Sequence, residues 1–206
     1  MKIDEDAAKS KNNMSIYFHR ILRSKDGKWV AIGEQYKKQV SGLGMASQIM
    51  NGGNSSTSAF SIFVYNMVVI EFDLQFNITN ITTVDKKKSE VMLPAGAAYY
   101  SSAFLAKYVN AVGGFDYIFT SQDATKDNYS TIYTDMNRKD DDGKKADMMI
   151  GAINYKGGKI TTERFPLNTE GNSIWFSPAK PGYIAVSEYF RKKKMIIVHL
   201  EKISYQ

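Results

Sequence analysis

The sequence predicts an all-β chain built from antiparallel four-stranded repeats, and three observations carry that expectation. First, 13 Tyr, 11 Phe and 2 Trp fall mostly in short runs mixed with Val, Ile and Thr, side chains that suit a pleated surface. Second, turn dipeptides separate these runs: Asp26-Gly27, Asp142-Gly143, Gly157-Gly158 and Pro181-Gly182. Third, one pattern recurs. The segments GKWVAIGEQYKK from Gly27, DNYSTIYTDMNRK from Asp127 and PGYIAVSEYFRKK from Pro181 align without gaps, with Trp29, Tyr129 and Tyr183 in register.

Each copy has the same strand order. The first strands are Ser15–Phe18, Asp116–Phe119 and Ser173–Phe176, and the aligned segments supply the second. Third strands follow near Met67–Asp73, Met148–Tyr155 and Met195–Leu200. Fourth strands, near Ile78–Val84 and Ile160–Phe165, occur in the first two copies only. Four antiparallel strands in about 50 residues are the signature of a propeller blade. A blade is covered on both faces, so Ile184, Val186 and Phe190 are expected to pack one way and Tyr183, Ala185 and Tyr189 the other. A β-sandwich also accommodates short strands with regular turns.

The expected organisation is a polar segment at 1–13 and a single β-repeat domain at 14–206. Within it lie three partial, propeller-like blades at 14–92, 115–167 and 172–206. Three blades do not close a ring. Open strand edges therefore imply self-association, or pairing with the remainder of a longer chain. Two insertions enlarge the first repeat. Gln39–Ala59, rich in Gly, Ser, Asn and Met, reads as a loop. The other, 93–114, holds one short inserted helix: Tyr100, Phe104, Leu105, Tyr108, Val109 and Val112 recur at three- and four-residue steps, with Ser101 as N-cap and Gly113 past the end.

Composition narrows the function. At 206 residues, 43% hydrophobic and 23% charged, the chain is in the ordinary globular range. No Cys is present, which removes disulfide scaffolds, Cys-ligated zinc, iron–sulfur clusters and thiol catalysis. The apolar stretch Phe60–Phe72 is interrupted by Ser61, Asn66 and Glu71, so no transmembrane segment is expected. The N-terminus is polar from residue 4 onward and does not read as a signal peptide.

Catalytic and metal motifs fail on inspection. The two histidines, His19 and His199, lack a G-x-S-x-G or HExxH context. Gly42-Leu43-Gly44 imitates a dinucleotide fingerprint without its last Gly. Placing Gly143 at position six of a calcium loop puts Arg138 and Met149 where acidic ligands belong. No cofactor, metal site or catalytic set is expected. Glu34 and Glu188 occupy one place in two repeats, most simply as buried hydrogen-bonded carboxylates. The competing reading is a carbohydrate-active hydrolase using Glu34, Glu188 or Asp135 as paired carboxylates.

Charge placement is more informative. The net charge is +6, and the link from second to third strand is basic in every repeat: Lys37 and Lys38, then Arg138, Lys139, Lys144 and Lys145, then Arg191, Lys192, Lys193 and Lys194. Equivalent links in a propeller emerge at one end, so these ten side chains are the expected ligand-binding residues. The expected function is a non-catalytic binding or scaffold module for an anionic glycan or phosphate-bearing ligand.

The runs GKWVAIGEQYKK, NMVVIEFD, GGFDYIFTSQD and AKPGYIAVSEYF resemble segments of a family of large, uncharacterised exported bacterial proteins with β-propeller-like repeats. The resemblance covers most of the chain after residue 13. It brings no established activity. It implies an extracytoplasmic address and a chain that is the C-terminal part of something longer.

Overall fold

The computed structural model describes residues 14–51, 56–125, 127–137, 147–167, 169–180 and 183–202. Its elements are β1 (Ser15–Arg23), β2 (Trp29–Val40), α1 (Gly42–Met50), β3 (Thr57–Phe72), β4 (Ile78–Val84), β5 (Ser89–Pro94), a 3-10 turn (Ala97–Tyr99), α2 (Ser102–Ala111), β6 (Tyr117–Gln122), β7 (Asn128–Asn137), β8 (Asp147–Lys156), β9 (Lys159–Pro166), β10 (Ser173–Pro178), β11 (Tyr183–Phe190) and β12 (Met195–Lys202). The fold is all-β and antiparallel, with two short helices.

Each sheet follows sequence order. The first runs β1-β2-β3-β4, with β5 added on β3; the second runs β6-β7-β8-β9; the third stops at β10-β11-β12. The antiparallel order of successive strands expected within each segment is present; β5 is an addition to the first sheet that the sequence reading lacked, and among the described residues the third sheet has three strands.

The 39–59 segment corrects the sequence reading. In place of one long loop, β2 continues to Val40, α1 follows, and β3 begins at Thr57. The helix starts because the Ser41 hydroxyl, itself buried, accepts the Gly44 N–H at 3.1 Å. Gly44 also lets the helix lie against β3, since a Cβ there would meet the Ser58 carbonyl oxygen at 2.4 Å. The Gly, Ser and Asn residues in and around it, weak helix formers, hid this helix from propensity. The second helix lies where its periodicity placed it, with Ser101 accepting from the Phe104 N–H at 3.2 Å and Leu105, Ala106 and Val109 buried.

The chain divides into two compact units. The first takes in the chain up to His19, Ala31–Ile70 and Ile81–Asp116; the second takes in Arg20–Val30, Glu71–Asn80 and the chain from Tyr117. In the first unit, α2 packs Leu105, Ala106 and Val109 on Tyr36, Ile62, Val64 and Leu93, with Phe115 closing the cluster. In the second unit, two sheets face each other. Ile132, Ile150 and Ala152 of the β6–β9 sheet meet Ile184 and Val186 of β11, flanked by Phe119, Phe165, Ile174 and Phe176. Each fully buried Ile or Val there contributes about 1.5–3 kcal/mol.

Only one face of β11 is sealed. Ile184 and Val186 are fully buried, whereas Tyr183, Ala185 and Tyr189 are half-buried. On that second face the register sets Ala185 beside Leu200, Ser187 beside Val198 and Tyr189 beside Ile196. Those three β12 residues are exposed; among the described residues, nothing stacks over them as a further blade would.

Candidate functional site

The carboxylates singled out by the repeat are buried and partnered, each within its own unit. In the first unit, Glu34 on β2 has no exposed surface. Its Oε2 lies 2.9 Å from His19 Nε2 on β1, and its Oε1 lies 3.5 Å from Lys86 Nζ. Lys86, between β4 and β5, reaches on to Asp116 Oδ2, which also accepts from the Ser89 hydroxyl at 2.7 Å. His19 is held edge-on to Tyr17 and Phe115, at ring-centroid distances of 5.1 and 4.9 Å. Burial pushes the Asp116 carboxyl above its ordinary range, even against the pull of the Lys86 ammonium.

In the second unit, Glu188 on β11 accepts from the Thr169 hydroxyl at 2.5 Å and lies 3.8 Å from His199 Nδ1 on β12. His199 Nε2 is 3.2 Å from Glu201. Asp135 on β7 is buried and pairs with Arg164 Nη1 at 3.3 Å. Glu34 and Asp135 are thus paired with the cations Lys86 and Arg164, and Glu188 is held by the Thr169 hydroxyl beside the His199 ring. No group of three His, Asp or Glu side chains among the described residues is arranged to hold a metal ion.

The ten basic residues divide three ways. Lys37 and Lys38 are not in a link but within β2, which runs on to Val40, and they are half-buried. Lys38 serves the fold: its ammonium donates to the carbonyl oxygens of Ala98 at 2.8 Å, Tyr100 at 3.0 Å and Ala97 at 3.3 Å, closing the 3-10 turn. Arg138, Lys139, Lys144 and Lys145 lie outside the described residues. Arg191, Lys192, Lys193 and Lys194 form the exposed turn from β11 to β12. That turn is held by the Arg191 N–H donating to Asn172 Oδ1 at 2.9 Å and by Lys194 in the left-handed region, φ 49°. None of the four makes an ion pair with another described residue.

A cavity of about 370 Å³ in the second unit is lined by Ser24, Lys25, Asp26, Lys28, Asp127 and Tyr155, with Gly157 and Gly158. Its lysines are neutralised locally, Lys28 by Asp26 at 2.8 Å and Lys25 by Asp127 at 3.1 Å. Its field is therefore weak beside that of the β11–β12 turn.

Sequence reasoning missed two features. Lys86 and Asp116 join Glu34 through contacts across the first unit, and no local motif announces them. The open flank of β12 is the other: Ile196, Val198 and Leu200 are 60%, 62% and 53% exposed, beside Trp175 at 51%. Its signal was present in the unbroken apolar run Met195–Val198, which reads as a strand meant for cover on both sides.

Among the described residues no helix is long and apolar enough to cross a membrane. No curated protein and no solved structure matches the chain. One family model does, over residues 3–204 and so across both units, and on that match the chain belongs to DUF6770, a family of unknown function.

Proposed function

We propose that this chain is a non-catalytic binding or scaffold module of a larger, exported, propeller-like protein, and that it engages an anionic partner through the turn Arg191–Lys194. The observation that carries this reading is four consecutive exposed cations without an acidic neighbour in ion-pair reach among the described residues. Cations so placed project a field of one sign into solvent. Lys38, by contrast, has its charge committed to backbone carbonyls. The buried, partnered state of Glu34, Glu188 and Asp135 supports a structural role for the carboxylates.

Affinity per contact is expected to be low and salt-sensitive, because exposed charges are screened over about 10 Å at 0.1 M salt. The test is retention on heparin and phosphocellulose matrices. Lys192, Lys193 and Lys194 replaced together by Gln should lower the eluting salt more than the same change at Lys107, Lys156 and Lys159, which are also exposed. Lys86 is no control for this experiment, since it is buried in the Glu34 ion pair. Equal losses from the two triplets would mean that net charge alone governs retention, and the turn would lose its role.

A further inference from the structure

In the second sheet β8 is followed by an antiparallel β9, whereas among the described residues β12 has a hydrogen-bonded neighbour, β11, on one side only. A bare edge strand offers a row of N–H and C=O groups to an incoming chain. Here the edge is also apolar, with Ile196, Val198 and Leu200 on one face. At its N-terminal end stand Arg191–Lys194. At its C-terminal end Glu201 and Lys202 line a cavity of about 310 Å³ whose remaining walls are Phe165, Pro166 and Leu167.

Charge decides among occupants. Two copies of β12 paired about Val198, a symmetric register that sets Ile196 against Leu200, also bring the basic turn Arg191–Lys194 of each copy to the Lys202 end of the other. Like charges gathered at both ends of a strand pair oppose it. A strand carrying acidic residues meets no such penalty.

We propose that β12 receives an extended segment of another polypeptide as a fourth, antiparallel strand. Antiparallel pairing places the segment's N-terminal end at the 310 Å³ cavity, which takes an apolar side chain. Its middle alternates apolar residues over Ile196, Val198 and Leu200. Its C-terminal end carries acidic residues against the Arg191–Lys194 turn. Main-chain hydrogen bonds supply affinity in such strand addition, and side-chain contacts supply orientation. The inference rests on the anionic-partner reading above and narrows that partner to a polypeptide.

The test uses two fluorescent nine-residue peptides of identical composition, alternating Val and Thr, one with three Glu at the C-terminal end and one with them at the N-terminal end. The first should bind roughly tenfold tighter than the second, a difference of about 1.4 kcal/mol, and should slow amide exchange across Met195–Lys202. A Lys192→Glu/Lys193→Glu variant should lose that preference and favour a peptide with three C-terminal Lys; these side chains are exposed, so the fold is kept. Equal binding of the two peptides, or retention on heparin with no peptide bound, would overturn strand addition and leave the anionic-partner reading standing. A dimer by light scattering with Met195–Lys202 already protected would assign the edge to a second copy instead. Loss of both peptide and heparin binding would remove both readings.

Discussion

His19 Nε2 lies 2.9 Å from Glu34 Oε2, with both side chains sealed from solvent. The chain's other histidine, His199, stands 3.8 Å from Glu188, the glutamate that occupies the same place in the third repeat. The two histidines approach from different strands: His19 from β1, before the glutamate strand, and His199 from β12, after it. The first and third copies thus place a buried glutamate at the same position of the second strand, where the second copy has Thr134, and the partner of each comes from a different neighbouring strand. In the first unit the arrangement extends through Lys86 to Asp116, so a carboxylate that would be costly alone is compensated on two sides.

Breaking that network should be expensive. Glu34→Gln or Lys86→Met leaves a buried partner uncompensated and is expected to cost about 3–5 kcal/mol. The double variant should cost less than the sum, because the residues share one set of contacts. Urea unfolding of the three variants measures this; parent-like midpoints for both single variants would show the network to be energetically idle.

Stability should fall with rising pH through the Asp116 titration. Burial raises this carboxyl above its ordinary value of 3.8, so between that value and the folded-state pKa the native protein holds more protons than the unfolded chain. Stability contributed by the group is present in full below 3.8 and declines as pH rises through the folded value. The parent's advantage over Asp116→Asn should therefore be larger at pH 4 than at pH 7 in denaturant titrations. An advantage that grows with pH would mean that the Lys86 pairing outweighs burial.

Tyr129 carries a hydroxyl with no hydrogen-bond partner among the described residues, and its ring stacks on Tyr155 at 4.8 Å and 6°. Burial pushes its phenol strongly upward. Tyr129→Phe removes an unsatisfied polar atom and should stabilise by about 1 kcal/mol. Tyr129→Ala should cost about 3–5 kcal/mol. The equivalent Trp29 and Tyr183 are only half-buried, so their Ala variants should cost less. Thermal melts rank the three, and a Trp29 variant melting lowest would contradict the burial order.

Gly151 on β8 faces Tyr133 on β7 directly across the strand pair, and Tyr133 is fully buried. A Cβ at Gly151 would lie 2.1–2.5 Å from carbons of the Tyr133 ring. The ring has no solvent side to move into, so Gly151→Ala should destabilise by about 1–3 kcal/mol or more. A variant that melts at the parent temperature would show that the ring can swing aside.

Much of the strand order was legible because its determinants are local. Aromatic and β-branched runs, and the turn dipeptides between them, act within a few residues. The α2 helix was legible for the same reason, with Ser101 capping Phe104 and apolar side chains at helical steps. The α1 helix was not, since it depends on Gly44 lying against Ser58, a contact that exists only once β3 is in place. The ten cations were equally visible in the sequence, yet their fates were not. Lys38 and Lys192 read alike in the sequence, but the first lies within β2 and closes the 3-10 turn whereas the second is in the β11–β12 turn and faces solvent.

The sequence by itself determined the all-β class, the antiparallel order of successive strands and the second helix, because each follows from backbone preference, side-chain alternation or capping over short spans. Only the tertiary structure decided that Glu34 would meet Lys86 and Asp116, that β3 would extend back to Thr57, and that β12 would keep a bare apolar flank. Whether a charge or an apolar strand is buried depends on which distant elements pack against it, and that is set by the whole arrangement of sheets, not by any residue's neighbours in the chain.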